Sequence, residues 1–185
     1  MNTNTKRIVL CGLLTTLAYV SLYFIRIPII PAATFLRFDV KDVFIALMGI
    51  LFGPIYAFGG AICVSLLQMI SVSEYGIIGL IMNIISATAF TIPISFGYKW
   101  KNNNKGLIVG LIVGCITMIA TMLLWNYLIT PLYMGVTREV VKIMIIPVFL
   151  PFNAIKGIIN SIFIVIVYNA LRTLNIMKLK NEKLQ

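Results

Sequence analysis

Three polar residues near the end of the sequence have the types and spacing to bind a small molecule. Asn153, Lys156 and Asn160 are spaced i, i+3, i+7 in an apolar run, so on a helix they share one face, with Gly157 leaving room beside them. An amide offers a donor and an acceptor side by side, and an ammonium group offers donors to carbonyl or hydroxyl oxygens. The set predicts a site for a flat, mostly neutral molecule with polar edges.

Three further amides, Gln68, Asn83 and Asn126, also interrupt apolar runs. Gln68 and Asn126 fall near the ends of their predicted helices and Asn83 near the beginning of its own, so antiparallel helices would bring them to the side that holds Asn153. Polar side chains inside membrane helices usually face a cavity or a partner. The alternative is that the amides form hydrogen bonds between helices and that Lys156 extends towards the membrane surface.

The composition identifies the kind of protein that must position these side chains. Of 185 residues, 61% are hydrophobic and only 11% are charged, and the mean hydropathy is +1.03. A soluble domain has about a quarter of its residues charged. We therefore predict an all-α integral membrane protein, a single domain over residues 1–185, with no removable signal peptide.

Six transmembrane helices are predicted from the apolar runs and their breaks. A long polar segment separates the fifth and sixth helices, at residues 130–142, and a basic connector covers residues 99–105. Gly106, Gly110 and Gly114 are four apart and predict a face for close helix packing. The first five predicted helices cover residues 8–27, 43–52 (extending upstream through Asp39), 55–72, 77–96 and 107–129. The sixth ends near Leu171, and its upstream boundary is not defined because Pro147 and Pro151 interrupt the apolar run.

An even number of spans places both termini on one side, and the charges indicate which side. Basic residues are concentrated in cytoplasmic segments of membrane proteins, so we expect both termini in the cytoplasm. The segments 31–42 and 131–142 then face outward. The basic residues on the side of the termini are Lys6, Arg7, Lys99, Lys101, Lys105, Arg172, Lys178, Lys180 and Lys183; those opposite are Arg26, Arg37, Lys41, Arg138 and Lys142.

The first outward segment is unusual in being aromatic and charged, with the sequence PAATFLRFDVKD at residues 31–42. One interpretation is a solvated loop between two helices. The other is a loop that folds over the binding pocket, and the polar residues that converge on the same side favour it.

Several classes of function are excluded or disfavoured. The net charge of +10 comes from basic residues at the ends of apolar runs, which indicates membrane topology and no nucleic acid partner. The chain has no histidine, and its three cysteines lie inside apolar runs, so no metal site is expected. No catalytic motif and no phosphate-binding GxxxxGK[ST] loop is present, so any ATP-driven step needs a separate subunit.

The sequence resembles the substrate-binding subunits, or S components, of energy-coupling factor (ECF) vitamin transporters, and in particular their riboflavin-binding members. The stretches that carry the resemblance are FLRFDVKDVFIALMGILFGP, SEYGIIGLIMN, WNYLITPLYMG and PFNAIKGIINS. It implies that riboflavin is the transported ligand, with no cofactor. It also implies a transmembrane coupling subunit and two ATPase subunits as partners in the cell membrane.

The resemblance also implies roles for individual residues. Asn126, Asn153 and Lys156 would bind the flavin, and the first outward loop, with Phe35 and Leu36, would cap it; Gln68 and Asn83 complete the predicted set. The family's first helix usually carries an alanine-xxx-alanine face for docking to the coupling subunit. This chain departs from that pattern, with Cys11-xxx-Thr15 and Gly12-xxx-Thr16 as the nearest equivalents.

Three alternatives stay open at the level of the sequence. The chain could be an S component for another vitamin, a small membrane enzyme acting on a lipophilic substrate, or a small channel. The nearly apolar inner halves of the helices argue against a continuous polar pore.

Overall fold

The protein folds as a bundle of helices with one very short β-hairpin. The computed structural model describes residues 3–31, 33–72 and 75–173. The predicted basic tail beyond Thr173, and Glu74 in the predicted loop, lie outside the described residues. The elements are α1 (Thr3–Phe24), β1 (Ile27–Pro28), β2 (Arg37–Phe38), α2 (Lys41–Phe52), α3 (Pro54–Ser71), α4 (Gly76–Lys101), α5 (Asn104–Met134), α6 (Arg138–Met144), a π-helical segment (Ile145–Phe149) and α7 (Leu150–Thr173).

Five helical segments within the described residues are long and apolar enough to cross a membrane. These segments are Thr5–Phe24, Pro54–Ser71, Gly76–Lys101, Asn104–Met134 and Arg138–Thr173. The all-helical prediction is confirmed. The predicted second span corresponds to α2, whose 12 residues extend about 18 Å, less than the ~30 Å of a hydrocarbon core. The count of six spans therefore stays a prediction.

Helix α2 lies in the middle of the bundle. It packs against α1, α3, α4 and α7. Its residues Ile45, Ala46 and Ile50 are almost completely buried, because an α-helix that is apolar on all sides needs neighbours on all sides. Its first turn is also buried, although that turn contains Lys41 and Asp42. The charged end of a central helix is thus placed inside the bundle.

The predicted boundary between the fifth and sixth helices is wrong. Residues 130–142 were expected to form a loop, but α5 continues to Met134 and α6 begins at Arg138. Only Gly135, with a φ of 64°, and the next two residues separate them. The sixth helical segment begins at Arg138 and not near Pro151, because the π-helical turn around Pro147 lets the helix continue past a residue that lacks an N–H.

The polar connector at residues 99–105 is also mostly helical. Helix α4 runs to Lys101 and α5 starts at Asn104, so only two asparagines join them. Asn102 adopts the left-handed conformation, with a φ of 46°, and Asn103 Oδ1 accepts a hydrogen bond from the backbone N–H of Gly106 at 3.0 Å. Asparagine tolerates the left-handed conformation and is a favoured N-cap residue.

The glycines of α5 pack against α4, as predicted. A Cβ atom on Gly110 would lie 2.8 Å from the Cα atom of Ile94, and one on Gly114 would lie 2.5 Å from the carbonyl oxygen of Phe90. The two backbones can approach this closely only because no side chain stands between them. Helix α5 is thereby fixed against α4, and both helices contribute side chains to the cavity described next.

Candidate functional site

One cavity brings together all seven residues predicted to form the site. It has a volume of about 80 Å³ and is enclosed by the segment before β2 and by helices α3, α4, α5 and α7. The predicted residues that line it are Phe35, Leu36, Gln68, Asn83, Asn126, Asn153 and Lys156. The chain places them together because the ends of α3 and α5 meet the beginnings of α4 and α7.

Lys156 is the centre of a buried network of charges. Its Nζ lies 3.3 Å from Asp39 Oδ2 and 3.2 Å from Asp42 Oδ2. Lys41 Nζ lies 3.3 Å from the same Asp39 oxygen and donates a hydrogen bond of 2.8 Å to Asn83 Oδ1. Two carboxylates thus face two ammonium groups, so the network is neutral in total and links the first loop, α2, α4 and α7.

This network corrects two interpretations of the sequence. Asp39, Lys41 and Asp42 were treated as charges of an outward-facing loop, but their exposed fractions are 5%, 1% and 0%. The sequence predicts Lys156 as a cation of the pocket without indicating a partner, and two carboxylates neutralise it. Removing a charge from water is costly unless the charge is paired. The two carboxylates and the two ammonium groups can be buried because they pair with one another.

The carboxyl group of Asp39 lies outside the helices, and its pKa is lowered. Burial by itself would raise its pKa, but the ammonium groups of Lys156 and Lys41 outweigh burial and hold the pKa below its usual range. A negative charge at Asp39 ties the segment before α2 to α7 through Lys156.

The amides of the cavity are held by local hydrogen bonds. Asn83 Nδ2 donates to the carbonyl oxygen of Gly79 at 2.8 Å, and Asn153 Nδ2 donates to that of Phe149 at the same distance. Asn126 Oδ1 accepts a hydrogen bond from Thr130 Oγ1 at 3.0 Å. Gln68 Oε1 is buried and has no hydrogen-bond partner among the described residues. The cavity therefore holds an acceptor that a ligand could satisfy.

Aromatic rings and a short hairpin lie around the cavity. The ring centroid of Phe35 lies 6.2 Å from that of Phe149, and the centroids of Tyr75 and Tyr133 are 5.0 Å apart. Strands β1 and β2 pair antiparallel beside Phe35. Pockets for drug-sized ligands have volumes of roughly 300–1,000 Å³. The cavity, at about 80 Å³, is smaller than such pockets.

Sequence reasoning missed part of the cavity wall. Asp39, Arg26, Arg37 and Tyr75 also line it. Arg26 donates a hydrogen bond of 2.6 Å to the carbonyl oxygen of Val72, which joins the end of α1 to the end of α3. No signal in the sequence placed Asp39 at the cavity, because its position depends on how deeply the neighbouring helix α2 is inserted in the bundle.

Asn160 lies one turn further along α7 than Lys156. Its side chain is fully buried, and neither of its polar atoms has a hydrogen-bond partner among the described residues. Asn160 does not line the cavity. It shares the helical face of Asn153 and Lys156, as predicted, but the structure does not bring it into the site.

The chain is similar over nearly its whole length to known transport proteins. Residues 6–168 match the model of the family described as "ECF transporter, substrate-specific component". The chain is 31% identical over 172 residues to "Riboflavin transporter RibU" of Staphylococcus aureus, covering 90% of each protein. It is 29% identical over 176 residues to "Riboflavin transporter FmnP" of Bacillus subtilis, covering 90% of this chain and 92% of that one.

A solved structure agrees with these matches. The chain aligns with the structure titled "Structure and mechanism of the S component of a bacterial ECF transporter" with a TM-score of 0.79 and 29% identity, covering 93% of this chain and 98% of that chain. The fold, the family match and the relatives all indicate a transporter component and not an enzyme. The chain belongs to the family of substrate-specific components of ECF transporters.

Proposed function

We propose that this protein captures riboflavin for uptake across the cell membrane. The observation that carries the proposal is the convergence of Gln68, Asn83, Asn126, Asn153 and Lys156 on one cavity beneath the aromatic segment around Phe35. The names of the relatives support riboflavin as the ligand. Riboflavin is the transported substrate, and the proposal involves no cofactor.

The lining side chains suit the two chemical faces of a flavin. The ring system is flat and apolar above and below, where Phe35, Leu36 and Tyr75 can contact it. One edge of the ring alternates carbonyl oxygens with a ring N–H, which matches the acceptor and donor pair of an amide such as Asn126 or Asn153. Lys156 can donate to a carbonyl oxygen while Asp39 and Asp42 balance its charge.

A neutral network favours a neutral ligand. Buried charges are tolerated when they are paired, and the two lysines are already balanced by two carboxylates. The isoalloxazine ring of riboflavin carries no charge at neutral pH, so it adds none to the buried cluster. The cavity of about 80 Å³ is too small for riboflavin until the segment bearing Phe35 moves outward.

The remaining topology and the partners belong to the same proposal. Both termini lie in the cytoplasm, and the cavity opens to the outside. Helix α2 is added to the five long segments as a membrane helix, which brings the total to six. A transmembrane coupling subunit and two ATPases supply the energy, since the sequence has no phosphate-binding loop. The exposed α1 face around Gly12, where an added Cβ would contact nothing within 4 Å, is the proposed docking face for the coupling subunit.

A flavin titration of the purified protein tests the proposal. We expect one riboflavin per chain, with quenching of flavin fluorescence through contact with aromatic side chains and with no turnover of the ligand. The matched comparison is a panel of other vitamins at the same concentration. Binding of another vitamin without riboflavin would favour an S component for that vitamin, and conversion of the ligand would favour a membrane enzyme.

A further inference from the structure

A second depression lies on the outer face of the bundle, between α5 and α7, in the half of these helices away from the cavity. It is a groove of about 580 Å³ lined almost wholly by branched apolar side chains. The isoleucines that line it are between 52% and 62% exposed: Ile108, Ile112 and Ile116 of α5, and Ile158, Ile162 and Ile166 of α7. Both helices belong to segments that are long and apolar enough to cross a membrane.

The few polar atoms in the groove already have partners. Cys115 Sγ and Ser161 Oγ are 3.4 Å apart and share a hydrogen bond, and Ser161 Oγ also donates to the carbonyl oxygen of Gly157 at 2.7 Å. The groove itself therefore offers only apolar contact. Its occupant must be hydrocarbon along this length.

Two exposed cationic side chains, Lys105 and Arg172, lie at one end of the groove. Lys105, Ile108 and Ile112 are spaced i, i+3, i+7, so the ammonium group of Lys105 belongs to the groove face of α5. Arg172 donates a hydrogen bond of 2.7 Å to Asn104 Oδ1, which brings the end of α7 to the start of α5. Trp100, 80% exposed near this end of the bundle, is typical of a membrane–water interface.

We propose that the groove binds one acyl chain of an anionic phospholipid and that Lys105 and Arg172 contact its phosphate group. From Ile108 to Ile116 the groove extends about 12 Å along α5, which accommodates a large part of one acyl chain. The adjacent cations lie where the headgroup of that lipid would lie, and they supply charge complementarity for an anionic one.

A lipid fits the groove better than a membrane helix does. Helices pack closely through small residues, and the small face of α5, with Gly110 and Gly114, is already occupied by α4. The groove face instead presents isoleucines, whose separated side chains leave a channel for a flexible hydrocarbon chain.

Native mass spectrometry of the full-length protein tests the proposal, with palmitoyl-oleoyl phosphatidylglycerol compared with the corresponding phosphatidylcholine. A cation near an anionic lipid contributes a factor of about five in affinity, so we expect the two cations to give a preference of roughly 25-fold for phosphatidylglycerol. Lys105→Gln or Arg172→Gln should each lower the preference about fivefold, and the double variant should abolish it. Lys142→Gln removes an exposed lysine of α6 away from the groove and should change nothing.

A second pair of variants tests the apolar part. Ile112→Trp fills the groove and should weaken binding of both lipids, whereas Leu128→Trp, at an exposed position of the same helix outside the groove, should not. Unchanged riboflavin affinity confirms that each variant is folded. Equal affinity for the two lipids, or a preference retained in the double variant, would overturn the proposal. So would a photo-crosslinker at position 112 that captures the coupling subunit in the assembled transporter instead of lipid.

Discussion

Lys156 Nζ lies 3.2 Å from Asp42 Oδ2, and Asp42 is completely buried. Within the described residues, Lys156 forms one other ion pair, with Asp39 Oδ2 at 3.3 Å. The lysine proposed to bind the ligand is therefore also the counter-ion of a carboxylate in the middle of the bundle. Any substitution of Lys156 changes the ligand site and the buried charge balance together.

The first prediction concerns Lys156→Met. Loss of a hydrogen bond from a charged group is worth roughly 1.5–3 kcal/mol, so riboflavin affinity should fall roughly ten- to more than a hundredfold. From the sequence alone the variant is expected to fold, because methionine enters a membrane more easily than lysine. The ion pairs change that expectation: Asp42 loses its cation, and breaking a buried pair typically costs 3–5 kcal/mol. A flavin titration and a melting curve measure the two effects.

The second prediction separates these effects by restoring the charge balance. In Lys156→Met/Asp42→Asn one positive and one negative charge are removed together, so most of the lost thermal stability should return. Affinity should stay low, because the ammonium donor is still missing. Recovery of affinity along with stability would show that Lys156 only holds the bundle together and does not contact the ligand.

The lining of the cavity was largely predictable from the sequence, and its electrostatics were not. Amides and a lysine inside apolar runs are conspicuous, and helix direction alone brings Gln68, Asn83, Asn126 and Asn153 to one side. The partners of Lys156 could not be found in this way, because Asp39 and Asp42 lie more than a hundred residues earlier. Whether the two carboxylates lie beside Lys156 depends on how deeply α2 is inserted in the bundle. The short length of α2 does not indicate that depth.

Helix boundaries failed for a related reason. Pro147 and Pro151 indicate interruptions of the sixth helix, and Pro131 falls in the predicted loop, yet all three lie within helical segments. A proline removes one backbone hydrogen bond, and neighbouring helices and π-helical turns can compensate for that loss inside a membrane bundle. The local pattern was the same as for a loop, and only tertiary packing distinguished the two.

The third prediction concerns Asn160→Leu. Asn160 is fully buried without a hydrogen-bond partner among the described residues, and it does not line the cavity. Leucine has a similar size and removes the cost of an unsatisfied buried amide, about 1–3 kcal/mol. We expect thermal stability to stay the same or rise and riboflavin affinity to change less than in Lys156→Met. A loss as large as that of Lys156→Met in a folded protein would place Asn160 at the ligand.

The fourth prediction concerns energy coupling. Riboflavin should bind to this chain without ATP, whereas uptake into liposomes should require ATP together with the coupling subunit and the ATPases. The physical reason is that binding can open and close a cavity but cannot drive accumulation against a gradient. Radiolabelled riboflavin inside liposomes that hold only this chain, at a concentration above that outside, would contradict the expectation.

The fifth prediction tests the contact that positions α5. In Gly110→Ala the new Cβ atom would lie 2.8 Å from the Cα atom of Ile94 and 3.0 Å from its carbonyl oxygen, so the backbones of α4 and α5 must separate. Asn83 and Asn126, on these two helices, should then shift relative to each other, and this shift should weaken riboflavin binding.

The matched control is Gly59→Ala on α3, where an added Cβ meets nothing within 4 Å. Replacing glycine by alanine inside a helix stabilises the helix by about 1 kcal/mol, so the control should melt at the same or a higher temperature. The Gly110 variant should melt lower in spite of the same intrinsic gain. Equal melting temperatures and equal flavin affinities for both variants would show that α4 and α5 do not depend on this close approach.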